Sequence, residues 1–508
     1  MNELIPNIKD KKNISLLILA VFLILVISFL NVSLPLYIFL GLIIFIVIGF
    51  FIFKNPVIGI YLIAFFLPFE RIGAYEFGGS TVRISQVLFI ILLLIWLGRM
   101  IFQRKFDFVN PSTSLGVDTE RPGILEGGSE SLMPSIGGRR SVKNPLIIPL
   151  AIFLLFNILS LQNSLNLERS LLLLALIVFT ILLSLVIPNL LQDKKTIEKT
   201  ILILLISAFL VSVFGIFQFL GDMAGLPTTI TGLRDLYTKD VLGFPRIQST
   251  AYEPLYFANY LLIPLGVALS LFLSRKSTIK SSWLLILLII GGISFVLTVA
   301  RGAYLALAVV ILIISLVYFR KVFTLRNIII FTVVLVLVWQ VVVRALGYGG
   351  DIFNLDVFQG HVLNVFYGAS FNERIDTFEN AMKAWREQPF VGIGVGGFGP
   401  YVAPHPYYMP KDGWRIVNNE FIEILAETGI MGAFAFFIII LVLIARSIKA
   451  IIKSQDKYLK AIMIALLAAF IGVLVQYQTF STLYIMHVWF LIGLMIAVQN
   501  LVLVKQKV

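Results

Sequence analysis

Apolar residues run almost unbroken along this chain in stretches of about twenty, separated by short polar segments. A run of that length crosses the ~30 Å hydrocarbon core of a bilayer as a helix. The pattern predicts spans at 14–31, 34–53, 56–69, 84–103, 145–162, 170–191, 198–220, 254–274, 282–299, 302–319, 327–345, 428–445, 461–477 and 481–502. The third is short enough to be a re-entrant segment. Membrane barrels alternate apolar and polar positions over ~10-residue strands, and no such pattern occurs here. The expected fold is therefore all-α: a polytopic membrane protein of about fourteen transmembrane helices with one large extracytoplasmic loop containing short helices.

The polar gaps divide the chain. Residues 1–105 form a first group of transmembrane helices. Residues 106–144 are rich in Ser, Gly and Pro and poor in large apolar side chains, so they read as a flexible cytoplasmic linker. Residues 145–345 form a central group of helices, 346–427 the large outer loop, and 428–508 a last group. A second outer loop covers about 221–253. The large loop carries Trp385, Trp414 and amphipathic patterning, which argues for a folded unit.

Composition strengthens the membrane reading. The chain is 59% hydrophobic and 13% charged, against roughly 25% charged in soluble domains. The polar stretch Met1–Lys12 precedes an apolar run too long for a cleaved leader and reads as the flank of the first helix. The net charge of +13 matters for where it falls. With the N-terminus in the cytoplasm, basic clusters such as Lys194–Lys195, Arg275–Lys276 and Arg320–Lys321 all fall on the inner side. Both termini are then cytoplasmic, and the loop at 346–427 faces outward. Orientation and contact with anionic lipid account for the basic excess, so nucleic acid is not an expected partner. There are no cysteines, and the three histidines (His361, His405 and His487) lack metal-ligand spacing. Neither a metal nor a cofactor is expected.

Candidate chemistry lies on the outer side. Arg301, in Thr298-Val299-Ala300-Arg301-Gly302-Ala303, falls between two apolar helices with barely a turn between them. It is either a snorkelling anchor or an anion ligand at the lipid–water boundary. Arginine suits phosphate because its planar fork donates two parallel hydrogen bonds. In Asn372-Glu373-Arg374-Ile375-Asp376-Thr377-Phe378, Asn372 reads as an N-cap and Pro389 as a stop. Ile375, Phe378, Met382 and Trp385 share one helical face. Arg374 would then sit in a first turn, where the helix dipole favours an anion, unless it is a surface arginine paired with a carboxylate. Val391-Gly392-Ile393-Gly394-Val395-Gly396-Gly397-Phe398-Gly399 lacks the surroundings of a dinucleotide site and reads as a glycine turn for close backbone approach. In Asn418-Asn419-Glu420, leading into Phe421-Ile422-Glu423, the residues Glu420, Glu423 and Glu427 share a face. Glu423 and Glu427 read as a solvated acidic face. Arg246 and Glu253 lie just outside the span at 254–274, and Asn259 about a turn and a half inside it. They are substrate contacts or interfacial polar residues at a helix start.

Together these blocks resemble the O-antigen ligase and O-antigen polymerase superfamily of bacterial envelope glycosyltransferases. The resemblance rests on Thr298–Ala303, on Arg374 to Trp385 with Pro389-Phe390-Val391-Gly392-Ile393-Gly394, and on Asn419-Glu420-Phe421-Ile422 running to Glu427-Thr428-Gly429-Ile430-Met431-Gly432. It implies transfer of a glycan from an undecaprenyl-pyrophosphate-linked donor to a glycan acceptor, with Arg301 and Arg374 on the pyrophosphate. It also implies substrate contacts by Arg246, Asn259, Asn419 and His405, and catalytic roles among Asn418, Glu420 and Glu253. The ligases usually begin the third block His-Asn, whereas this chain has Asn418-Asn419. Asparagine cannot act as a general base near neutral pH. That departure, with Glu253-Pro254, points to a polymerase. The alternatives are a ligase acting on a lipid A core or a protein, and a lipid-glycan flippase. The sequence leaves the oligomeric state, sugar and linkage open.

Overall fold

The computed structural model describes residues 36–71, 75–77, 80–102, 144–322, 324–329, 332–333, 336, 369–410, 413–481 and 483–504. The first expected span, most of the eleventh, nearly all of the linker and the first part of the large loop fall outside these residues.

The described residues are almost entirely helical. Twelve apolar helices are present: α1 (Leu36–Lys54), α2 (Val57–Phe66), α3 (Ile84–Phe102), α4 (Ile147–Ser160), α5 (Leu167–Leu190), α6 (Lys194–Met223), α7 (Pro254–Ser274), α8 (Ser281–Leu297), α9 (Arg301–Val317), then, after the amphipathic α10 (Ala369–Glu387), α11 (Glu420–Lys453), α12 (Lys457–Gln476) and α13 (Met486–Val504). Seven of the twelve are long and apolar enough to cross a membrane by themselves; α1, α2, α4, α8 and α9 carry shorter apolar stretches. The exception to the all-helical expectation is a small antiparallel hairpin, β1 (Tyr75–Phe77) with β2 (Ser80–Val82), paired Glu76 to Thr81.

Local chemistry sets the helix starts. Asn166, Asp193, Asn419 and Asp456 each accept a backbone N–H from the first turn that follows, as N-caps do. Asp456 also takes Lys194 Nζ at 2.7 Å, which ties the start of α6 to the start of α12.

Helix α7 is the axis of the bundle: its apolar window is 100% buried, against 28% for α3. It packs on α12, which also receives α9, while α13 packs on α5 and α11 on α4. Small residues bring these helices close, as in membrane bundles generally. A Cβ on Gly472 of α12 would meet Val310 Cγ2 of α9 at 2.5 Å, and one on Gly266 of α7 would meet the same side chain at 3.2 Å.

Two local expectations change. Helix α10 is already formed at Ala369, so Asn372 lies within it and does not cap it, and Arg374 falls beyond the first turn. Its packed face is also not the apolar stripe. Thr377, Ala381 and Ala384 are buried, while Ile375 and Phe378 are 42% and 45% exposed. The small residues let α10 approach Ile393, Phe398, Val417 and Ala426 closely, while Ile375 and Phe378 are turned away and Met382 and Trp385 are half-buried.

Candidate functional site

Three arginines distant in sequence come within electrostatic reach at one end of the bundle. Their platform is the corner between α8 and α9. There Val299 takes a left-handed conformation, φ 50°, which is strained for a β-branched residue. Arg246 braces that corner: Nε donates to Thr298 O at 3.3 Å and Nη2 to Val299 O at 3.4 Å. The next residue reinforces it, since Ile247 N donates to Leu297 O at 3.1 Å. Arg301 follows as the first residue of α9 and is exposed. Gly302 beside it has no room for a side chain, because a Cβ there would lie 2.0 Å from Thr479 Oγ1. Arg374 stands on α10. Its guanidinium is held below its ordinary value, first by desolvation and then by the charge of Arg301. Arg246 is lowered by desolvation too, with Tyr237, Tyr304 and Glu253 opposing and Arg301 adding to the depression. Arg301 is thus the charge shared by the other two. None of the three forms an ion pair among the described residues.

Glu253 stands at the N-cap of α7, with its side chain outside the helix hydrogen bonds. Desolvation lifts its carboxyl above the ordinary value, the charges of Arg234 and Arg246 pull it back in part, and the charge of Glu70 adds to the rise. It is a desolvated carboxylate near cations but hydrogen-bonded to none of them, which leaves it able to accept a proton.

The other expected residues have different surroundings. Asn259 is fully buried: Nδ2 donates to Gln476 Oε1 at 2.9 Å, and Oδ1 lies 2.6 Å from His487 Nε2. Its amide joins α7, α12 and α13 and does not reach the arginines. Asn419 caps α11 through Ile422 N at 3.2 Å and reaches Gln478 Oε1 at 3.3 Å. Asn418 is half-buried in a left-handed conformation, φ 59°, that turns the chain into the cap. Glu420 is buried at the start of α11, its N–H donating to Tyr477 O at 2.9 Å. His405 is exposed on the loop whose Pro406 carbonyl accepts from Asn166 Nδ2 at 2.9 Å. That loop is held at the start of α5.

Glu423 and Glu427 depart most from expectation, since they do not form a solvated face. Glu427 is 8% exposed, and its carboxylate accepts Gly396 N at 2.7 Å and Phe398 N at 3.2 Å. Glu423 accepts Val417 N at 2.8 Å. The glycine turn lies directly on α11, with Ile393 N donating to Ala426 O and Gly394 N to Glu427 O, both at 3.0 Å. Arg169 closes the assembly, donating from Nε to Gly396 O at 2.8 Å and lying over the Trp414 ring at 5.2 Å. Between them is a cavity of about 30 Å³, lined by Asn157, Glu420, Glu423, Glu427 and Tyr484 among others. The i, i+3, i+7 spacing that suggested a wet surface is equally the spacing of one buried face.

Sequence reasoning also passed over Arg234 and Tyr237 near Glu253, Arg71 beside Arg234, and Gln476 and His487 around Asn259. Arg234 was visible as a charged residue in a long outer loop, a setting that favours function. Gln476 and His487 were visible as polar residues in apolar runs.

The described residues thus form a helical bundle with seven helices long and apolar enough to cross a membrane, and Arg246, Arg301 and Arg374 lie within electrostatic reach through Arg301. Residues 284–437 match the family model described as O-antigen ligase, a stretch that contains Arg301, Arg374, the glycine turn and the start of α11. The match supports the O-antigen ligase and polymerase superfamily and, with it, glycan transfer of that general type. No curated protein matches the chain.

Proposed function

We propose that this protein polymerises an envelope polysaccharide, transferring a growing glycan from an undecaprenyl-pyrophosphate-type carrier to a lipid-linked repeat unit at the outer face of the bacterial inner membrane. The observation that carries this reading is the Arg246–Arg301–Arg374 cluster. Three cations linked through Arg301, none of them in an ion pair among the described residues, suit a ligand with more than one negative charge. An acceptor hydroxyl attacks the anomeric carbon, a new C–O bond forms as the bond from that carbon to the phosphate oxygen breaks, and pyrophosphate leaves on its lipid. Glu253 takes the hydroxyl proton. The arginines stabilise charge growing on the leaving group, which requires their dipoles and charges to be in place beforehand.

The test is extension of a lipid-linked repeat unit by purified protein. Arg301→Ala or Arg374→Ala should each cost on the order of 10²–10³-fold in rate. Lysine should rescue only partly, because it keeps the charge and loses the fork. The double variant should lose less than the product of the single losses, since both act on one leaving group. Near-normal extension by either alanine variant removes that residue from the site. The matched family's description favours a second reading, ligation to a lipid A core or a protein. Transfer to such an acceptor, with no chain extension, would establish it.

A further inference from the structure

The arginines do not end at the donor cluster. Arg234 lies over the Tyr237 ring at 5.7 Å, and Arg246 lies over the same ring at 5.8 Å. Arg234 also lies over Tyr252 at 5.4 Å and donates to Tyr252 O at 3.4 Å. Arg71, in the turn after α2, donates from Nη1 to Gly232 O at 2.7 Å. Its guanidinium is held below its ordinary value by desolvation and then by the charge of Arg234. Arg71 and Arg234 are therefore a second cationic pair, and they form no ion pair among the described residues. Glu253 directly follows Tyr252, whose carbonyl accepts from Arg234, and it is within electrostatic reach of Arg234 from the second pair and Arg246 from the first.

The second pair is built rigidly. Arg71 N donates to Thr250 O at 3.0 Å, Thr250 Oγ1 to Pro68 O at 2.7 Å, and Tyr252 N to Glu70 Oε2 at 3.1 Å. Glu70 in turn holds Arg83 at 3.0 Å. Glu70, the sequence neighbour of Arg71, is thereby committed to Arg83. Holding two like charges together in a partly desolvated corner is unfavourable unless an anion completes the site.

We propose that Arg71 and Arg234 form a second anion subsite, which holds the anionic group of the acceptor glycan across Glu253 from the donor pyrophosphate. This rests on the glycan-transfer reading above. The subsite places the acceptor hydroxyl beside the carboxylate that takes its proton, and it selects acceptors bearing a pyrophosphate or an acidic sugar. A ligand anchored at both ends, with the base between, meets the demand that two reactants be oriented together.

The test uses the full-length protein in lipid nanodiscs with two acceptors: the lipid-pyrophosphate-linked repeat unit, and the same glycan freed of lipid and pyrophosphate. Arg234→Ala and Arg71→Ala should raise KM for the lipid-linked acceptor about 10–100-fold, the worth of one charge-assisted hydrogen bond, and leave KM for the donor within about threefold. Arg234→Lys should recover part of the loss, and thermal melts should show that each variant is folded. If the pyrophosphate is the bound group, the freed glycan is used poorly by every form and the variants do not change its KM. If an acidic sugar is bound, the freed glycan shows the same loss as the lipid-linked one. Unchanged acceptor KM in folded Arg71→Ala and Arg234→Ala proteins, while Arg301→Ala still abolishes transfer, would overturn the subsite alone. Failure of the unaltered protein to transfer glycan to either acceptor would overturn the glycan-transfer reading and the subsite with it.

Discussion

Glu253 shows how two opposing influences set one side chain's chemistry. Desolvation disfavours its charge, while Arg234 and Arg246 favour it, and desolvation wins. The carboxyl thus titrates above the usual carboxylate range. A base works only when ionised, so activity should fall as pH drops through this raised value, and the acid limb of the kcat–pH profile should lie higher than an ordinary glutamate would place it. Glu253→Gln should remove both the limb and most of the rate. A glutamine variant that keeps the wild-type limb would assign it to another group. Glu253 and Arg246 were both legible in the sequence, because charged residues beside a span are conspicuous. Arg71 and Arg234 were not singled out, since their pairing depends on contacts with Gly232 and Tyr252, and no local spacing encodes that.

At the scale of elements, the junction of the glycine turn with α11 is tightly constrained. Helix α11 breaks at Gly429, where φ 67° and ψ −173° are open essentially to glycine alone. Ile430 N donates to Pro389 O at 2.9 Å across the break, and a Cβ on Gly429 would lie 2.2 Å from Phe390 O. Gly429→Ala therefore meets both backbone strain and a backbone clash, and should destabilise by more than the ~1–3 kcal/mol of the strain alone. Gly98 in α3 is the control: nothing lies within 4 Å of a Cβ there, and alanine should be neutral or stabilise by up to about 1 kcal/mol. Thermal melts in detergent would compare the two, and equal melting temperatures would contradict the account. The sequence announced the turn's close approach through its glycines but not its partner. Glu427 stands 31 residues from Gly396, and its spacing with Glu420 and Glu423 looks the same for a wet face or a buried one. The stripe on α10 misled for a related reason: the packed face was chosen by small size, and Ile375 and Phe378 were left outside.

For the whole molecule, twelve of the expected spans correspond to apolar helices, because long apolar runs are the least ambiguous signal a sequence carries. Their neighbours were not legible, since lipid-facing and protein-facing apolar surfaces look alike in composition. The charge distribution predicts sidedness independently of packing. Reporter fusions after Gly350 and after Lys453 should report opposite sides of the membrane, with the first outside. The same side for both would refute the orientation and remove the outward-facing site.

The amide of Asn259 has a consequence for how the chain is made. Its two partners lie far downstream: 217 residues separate it from Gln476 and 228 from His487. At ~5–20 residues per second a ribosome needs about 10–40 s to supply them. Through that interval α7 has entered the membrane with a polar side chain that has none of its final partners, and such groups are costly in hydrocarbon. The nascent bundle is therefore incomplete at its axis until the last two helices arrive. A chain cut short before them would keep most of its spans and lack the bond that fixes the centre, which makes it a ready substrate for membrane proteases.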